Sequence, residues 1–205
     1  MAKSEKNYDI IDWQKYGPGP VIGVDEVGRG CLAGDVYAAA CILNPEAEWA
    51  HYTDSKKLTP KRREVLSEEI LGSHKVIVAQ ASVKEIDQLN ILKAALLAMK
   101  RAVEGLGVEQ GVVLVDGTFK IPGLSDRFTQ HTLVKGDLRA APVAAASIVA
   151  KVKRDTDISD LDSVYPGYGF AKHKGYCTKL HKDAIAELGV LPVHRTSFAG
   201  VKEHL

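Results

Sequence analysis

Val21-Ile22-Gly23-Val24-Asp25-Glu26-Val27-Gly28-Arg29-Gly30 is an apolar run that ends on two adjacent carboxylates and passes straight into Gly-Arg-Gly. Such a run reads as a buried strand with glycines bounding its far end. Successive residues of a flat strand point to opposite faces. Asp25 and Glu26 are therefore expected to share one site only if the chain turns there, and Gly28 and Gly30 allow a turn. Anions side by side repel, so the pair calls for protonation, cationic partners or a metal. Oxygen-only ligands favour a hard cation such as Mg²⁺ or Mn²⁺. Arg29 and the flexible backbone of Gly28 and Gly30 can then meet an anionic or hydroxylated ligand. The plainer alternative is a strand end with a solvated Asp-Glu-Arg turn, and the stretch alone leaves both open.

The rest of the chain repeats the pattern. Gly111-Val-Val-Leu-Val-Asp116-Gly117 is a short apolar run that again delivers a carboxylate at its end, as a central strand does. Ligands gather at such strand ends in open α/β sheets, although an Asp also starts turns. A fourth candidate, Asp137, follows Lys135-Gly136 after a strand expected at Phe128 to Val134. Two more strands are expected between these acids, at Asp35 to Leu43 and His74 to Val83. With the first they suggest an antiparallel meander in a mixed sheet, since the helices come later. Thr59-Pro60 reads as the cap and first residue of a helix running to about Leu71. Ile86 to Leu106 reads as mostly helical, its apolar residues recurring at three and four spacing, so Met99 is core. Alanine-rich Ala140 to Asp157 is a further helix, on which Asp155 pairs with Lys151.

From Tyr165 the character changes. Tyr165-Pro-Gly-Tyr-Gly-Phe170 is aromatic and glycine-rich, and Lys172-His173-Lys174-Gly175-Tyr176 interleaves bases with an aromatic. A helix at about Thr178 to Leu188 carries Lys179, His181 and Lys182, and His194-Arg195 close the region. Bases among aromatics suit nucleic acid, where cations bind phosphate and rings stack. An ordinary basic surface over core tyrosines fits the composition equally well. Lys56 and Lys57 sit in a loop before the Thr59 cap, within reach of phosphate, though solvent is their simpler neighbour.

Composition bounds these readings. The chain has 205 residues, 45% hydrophobic and 26% charged, with a net charge of +1, so one core is expected and any nucleic-acid contact must be a local patch. The three cysteines, Cys31, Cys41 and Cys177, are far apart and form no zinc spacing, which fits a reduced, cytoplasmic chain. Met1 to Gln14 is charged and does not read as a signal peptide, and no run approaches the roughly 20 residues of a membrane span. Gly17-Pro18-Gly19-Pro20 reads as a stiff lead into the first strand. Carboxylates at strand ends beside a basic aromatic tail suggest two-metal phosphodiester hydrolysis, with cations about 3.5–4 Å apart flanking the scissile phosphate. No Ser-His-Asp or Cys-His set offers a rival nucleophile, and no P-loop is present. A glycosidase-like acid/base pair is disfavoured, because adjacent residues do not easily span the roughly 5–9.5 Å it needs.

Taken together, Gly23-Val-Asp-Glu-Val-Gly-Arg-Gly30, Asp54-Ser-Lys-Lys-Leu58, Val115-Asp-Gly117, Lys135-Gly-Asp137, Ala145-Ala-Ser-Ile-Val-Ala-Lys-Val-Lys-Arg-Asp155 and His173-Lys-Gly-Tyr176 resemble bacterial ribonuclease HII, the type 2 ribonuclease H. The resemblance runs from about Val21 to Phe198. It implies a ribonuclease H-like α/β fold, a mixed five-stranded sheet with flanking helices and a C-terminal helical extension. The matching division is a lead-in at 1–20, a catalytic domain at 21–162 and an extension contributing to substrate binding at 163–205. It implies a metal-dependent endonuclease that hydrolyses the RNA strand of RNA–DNA hybrids and incises on the 5′ side of single ribonucleotides in duplex DNA, leaving 3′-hydroxyl and 5′-phosphate ends, as in ribonucleotide excision repair. Asp25, Glu26, Asp116 and Asp137 match the catalytic metal-binding carboxylates. By analogy Asp25 bridges two Mn²⁺ or Mg²⁺ ions, with Glu26 and Asp116 on one and Asp137 on the other. Gly28, Arg29 and Gly30 would read the 2′-hydroxyl largely through backbone groups, Tyr176 would stack near the RNA–DNA junction, and Lys56 would hold a phosphate. The expected partners are RNA–DNA hybrid and ribonucleotide-containing duplex, with the protein a monomer and away from membranes. Ser197 to Leu205 carries no clear Gln-x-x-Leu…Phe-Phe clamp-binding peptide. Two alternatives stand beside this reading: a related nuclease of the same fold acting on DNA junctions, and a non-catalytic hybrid-binding module.

Overall fold

The computed structural model describes residues 8–17 and 19–205. The expectations for the first seven residues and for Pro18 lie outside the described residues. Strands β1 (Val21–Val27), β2 (Val36–Ile42) and β3 (Lys75–Ala81) form an antiparallel meander. Strand β4 (Gly111–Asp116) joins β1 in parallel on its other side, and β5 (Phe128–Leu133) runs parallel to β4. The result is the expected mixed five-stranded sheet, in the order β3-β2-β1-β4-β5.

Alternation along the strands builds a core on each face. Ile22 and Val24 of β1, with Val113 and Val115 of β4, face helix α3 (Ile91–Gly105). Leu114 and Ala39 face helices α1 (Pro60–Ser73) and α5 (Ala141–Val164). Thr59 caps α1 by accepting from the Arg62 amide, with Pro60 behind it as expected. The alanines of α5 let it lie close on the sheet, and at Gly23 the approach is tightest. A Cβ there would sit 2.1 Å from the Pro142 carbonyl carbon, so only glycine lets α5 start directly over β1.

Two helices differ from expectation. The helix expected over Ile86 to Leu106 is two, α2 (Val83–Leu89) and α3, broken at Asn90, whose φ is +73°. The Asn90 side chain accepts from the amides of Leu92 and Lys93, so the break carries its own cap. Helix α5 continues past Asp157 to Val164. Asp137 lies on a single helical turn, α4 (Gly136–Arg139), directly after β5. Residues before β1 pack instead of trailing: Trp13 is buried, edge-on to Trp49, and the Ile11 amide bonds the Arg139 carbonyl.

The C-terminal part, with α6 (Phe170–His173) and α7 (Lys179–Leu188), holds the segment after the Gly-Arg-Gly on both sides. Cys31 bridges to Tyr176 and Ala33 to His194. The Leu32 amide bonds the Gly175 carbonyl, while the Leu32 carbonyl accepts from the Arg195 amide, both at 2.8 Å.

Candidate active site

Asp25 lies in β1 on the α5 side, buried, and Glu26 follows on the opposite face, half-buried. Asp116 is the last residue of β4. One ligand oxygen from each of the three lies within 4.8 Å of the others. No turn separates Asp25 from Glu26, contrary to the sequence expectation; both are still strand. They meet because β1 and β4 stop pairing at Val24 and Val115, so side chains from either face reach round into the gap beyond. The turn comes two residues later, at Gly28, with φ +96°. Asp25 Oδ1 accepts from the Glu26 amide at 2.7 Å, and Asp116 Oδ1 accepts from the Gly136 amide at 2.7 Å, which ties α4 to the end of β4.

Burial raises the Asp25 carboxyl well above the usual carboxylate range, and repulsion from Glu26, Asp116 and Asp137 adds to it, against an opposing hydrogen bond from Ser147. Burial also raises Glu26, against the pull of Arg29; the Arg29 guanidinium reaches Glu26 Oε1 at 3.2 Å. Asp137 is buried on α4, outside the tight trio but close enough that, after burial, Asp116 and Asp54 raise its pKa. A concentration of buried carboxylate oxygens, with protons bound more tightly than usual, is a donor set that a hard divalent cation would relieve. The residues present fit such an ion.

Lys56 stands at the rim, on a tight turn capped by Asp54, whose Oδ1 accepts from the Lys56 amide at 2.8 Å. Burial alone would lower its pKa, but attraction to Asp137, Asp25, Asp54 and Asp116 outweighs that and raises it. It is a charged lysine turned toward the acids, not a lysine facing solvent alone. At Gly28 a Cβ would sit 2.3 Å from Arg154 Nε, whereas at Gly30 it would meet open space. Folding thus demands glycine at 28. At 30 the bare backbone is left open to whatever approaches.

Tyr176 is 38% exposed. Lys151 Nζ lies 5.1 Å and Arg154 Cζ 5.6 Å from its ring centroid, within cation–π range. Lys151 also pairs with Asp155 at 2.9 Å, as expected. The basic-aromatic reading of the tail needs correction, because several of its bases are interior. His173, His181, His194 and Arg195 are all buried, as is Arg154. Arg195 donates to the carbonyls of Arg29, Gly34 and Asp35, and Arg154 to that of Lys174 at 3.0 Å. These two guanidinium groups hold the path of the Gly-Arg-Gly segment and its neighbour strand. One signal of this was available: His181 shares the apolar face of α7 with Ala184 and Ile185 at three and four spacing. A cleft of about 160 Å³ opens beside the acids, lined by Glu26, Arg29, Asp116, Leu92, Met99 and Phe119.

With that geometry in hand, comparison with known proteins is specific. The family model for ribonuclease HII matches residues 22–201. A ribonuclease HII of Shewanella sp. (strain MR-7) is 53% identical over 204 residues, covering 96% of each chain. Among solved structures, the ribonuclease H2 of Pyrococcus horikoshii OT3 superimposes with a TM-score of 0.74 at 25% identity, over 90% of this chain and 96% of that one. The RNase HII of Archaeoglobus fulgidus, solved in complex with PCNA, gives 0.72 at 27% identity, over 88% of this chain and 95% of that one.

Proposed function

The chain belongs to the ribonuclease HII family, endoribonucleases that cut RNA in RNA–DNA hybrids, and from that membership we propose how its own residues do so. Asp25, Glu26 and Asp116, with Asp137 beside them, would hold the divalent ions, Mg²⁺ or Mn²⁺. Bound in this way, such ions supply Lewis acidity for the attacking water and offset charge on the leaving oxygen. Lys56 meets a backbone phosphate from the rim. Arg29, paired to Glu26, steadies that carboxylate and borders the substrate. The main chain of the Gly28-Arg29-Gly30 turn, open at Gly30, hydrogen-bonds the 2′-hydroxyl, the group that separates RNA from DNA. A site built to bond a hydroxyl rejects the analogue lacking it by roughly 10⁴–10⁵. Tyr176 stacks against the sugar or base at the RNA–DNA junction, so the extension from 163 onward joins the catalytic part in gripping the duplex.

One observation carries the reading: three carboxylates converge within 4.8 Å at the parting of β1 and β4, beside a glycine turn whose backbone is open at Gly30. The substrate is hybrid, or duplex DNA holding one ribonucleotide, cut 5′ to that residue by a monomer in the cytoplasm. The three cysteines are free thiols. Among the described residues, no helix is long and apolar enough to cross a membrane.

Incubating the protein with duplex DNA carrying one ribonucleotide, with and without divalent metal, tests this directly. The expected product is a single nick 5′ of the ribonucleotide with 3′-hydroxyl and 5′-phosphate ends, lost on chelation and restored by Mg²⁺ or Mn²⁺. Cutting of an all-DNA junction in preference, or binding without cutting, would replace the reading with one of a different nuclease or a binding module.

A further inference from the structure

Behind Tyr176 lie three imidazoles, and every one of their ring nitrogens is partnered. The Gly175 amide donates to His173 Nδ1 at 3.1 Å, so His173 carries its proton on Nε2 and gives it to the Tyr168 carbonyl at 2.8 Å. The Leu191 amide donates to His194 Nδ1 at 2.8 Å, so the proton of His194 is on Nε2. That proton points at His181 Nε2, 3.1 Å away. His181 must then carry its own proton on Nδ1, where the Tyr176 carbonyl accepts it at 3.0 Å. His173 and His181 stack at 4.2 Å between centroids. The partners impose one tautomer on each ring and one direction on the relay: Leu191 amide to His194 to His181 to the Tyr176 carbonyl. Burial holds His181 and His194 at a pKa of about 4, so both are neutral at ordinary pH.

Packing alone does not call for such an arrangement, since apolar side chains fill a core without needing satisfied nitrogens. A directional network fixes orientation instead, and this one ends on the main chain of the exposed tyrosine. The Tyr176 amide is held by the His173 carbonyl at 2.9 Å, and its carbonyl also accepts from the Thr178 amide at 2.8 Å. His181 is the side chain that joins this turn to the far segment at 191–195.

We propose that His181 and His194 are positioning residues that aim the Tyr176 ring, so that their relay sets how well the enzyme selects a lone ribonucleotide. The inference rests on the reading of Tyr176 as a junction contact. It assigns selectivity to two buried side chains that never meet the substrate.

The test compares incision at a single embedded ribonucleotide with cleavage of a long hybrid, for variants whose folding is checked by circular dichroism. His181→Phe keeps a ring but removes the donor to Tyr176; it should lower kcat/KM on the single ribonucleotide by about ten-fold relative to the hybrid. His181→Asn places an amide N–H where Nδ1 was and should restore the preference to within about three-fold of the parent. In a Tyr176→Ala background, His181→Phe should cost nothing more, because the ring it aims is gone. Equal losses on both substrates, or losses that multiply in the double variant, overturn the inference in favour of a purely structural role. If His181→Phe does not fold, His181→Gln replaces it: it can partner His194 but leaves the Tyr176 carbonyl without its donor, and the same two outcomes decide. A Tyr176→Ala variant that treats both substrates alike would remove the junction contact itself, and the relay's role with it. A selective Tyr176→Ala beside an unselective His181→Phe removes the relay's role only.

Discussion

Asp25 is buried and faces the charge of Glu26, Asp116 and Asp137. Asp25→Asn keeps its shape and removes its charge. Cleavage should fall by roughly 10²-fold or more, while the metal-free melting temperature should rise, since repulsion is relieved; scanning calorimetry with chelator beside a hybrid cleavage assay reads both. Gly28→Ala acts in the other direction. It forces a left-handed backbone onto alanine and drives Cβ into Arg154, a cost of about 1–3 kcal/mol from backbone strain alone, visible as a lower denaturation midpoint. The acids were legible in the sequence because an apolar run that ends on a carboxylate has a physical meaning: a buried strand delivering charge to its tip. Asp25, Glu26 and Asp116 come together in the structure for that reason. Arg154, Arg195 and His194 were not legible, because a chain of letters shows that a side chain is basic but not how deep it lies; His181 was legible only through its place on the apolar face of α7.

Boundaries between secondary-structure elements were readable where a stop signal was strong. Thr59-Pro60 opens α1 and Gly189 follows α7 as expected. They failed where a polar residue did unusual work: Asn90 breaks a continuous apolar stripe by taking a positive φ and capping the next helix itself. The turn of α4 that carries Asp137, behind the left-handed Lys135, had no signal in the sequence. One joint between elements rests on a single carboxylate. Asp87 of α2 accepts from the amide and hydroxyl of both Thr196 and Ser197, at 2.6–3.1 Å. Partial burial opposes its charge, yet these four bonds hold its pKa below the ordinary value. The joint is therefore at full strength above the usual Asp pKa and is lost as pH falls through the lowered one. Asp87→Ala should cost about 2 kcal/mol, a fall in Tm of roughly 4–8 °C, with proteolysis gaining access first around Ser197.

Considered whole, the molecule places its acids where the strand order reverses, β1 turning to β2 on one side and to β4 on the other. That is the crevice where open α/β sheets bind ligands. The architecture followed from the order of strands and helices in the sequence. The pairing of the tail onto residues 31–34 did not, because such isolated bridges leave no periodic trace. The interior histidines give the molecule a distinct response to acid. His181 and His194 have folded pKa values of about 4, against roughly 6.5 when unfolded. Between those values the unfolded chain binds more protons than the native one, so these two groups make stability fall as pH drops from about 6.5 to 4, with no further loss from them below. Urea unfolding across that range should show the decline, and replacing both histidines should flatten it.

The parting of β1 and β4 past Val24 and Val115 has one more consequence. Asp25, Glu26 and Asp116 ride on β1 and β4, two of the three strands that have neighbours on both sides, the part of a sheet whose amides exchange last. The turn that carries Tyr176 is held by isolated bridges, a thread of imidazoles and one small apolar cluster around Phe170. In mild urea the tail should fray while the strands stay shut, leaving an enzyme that still cuts but has lost its discernment.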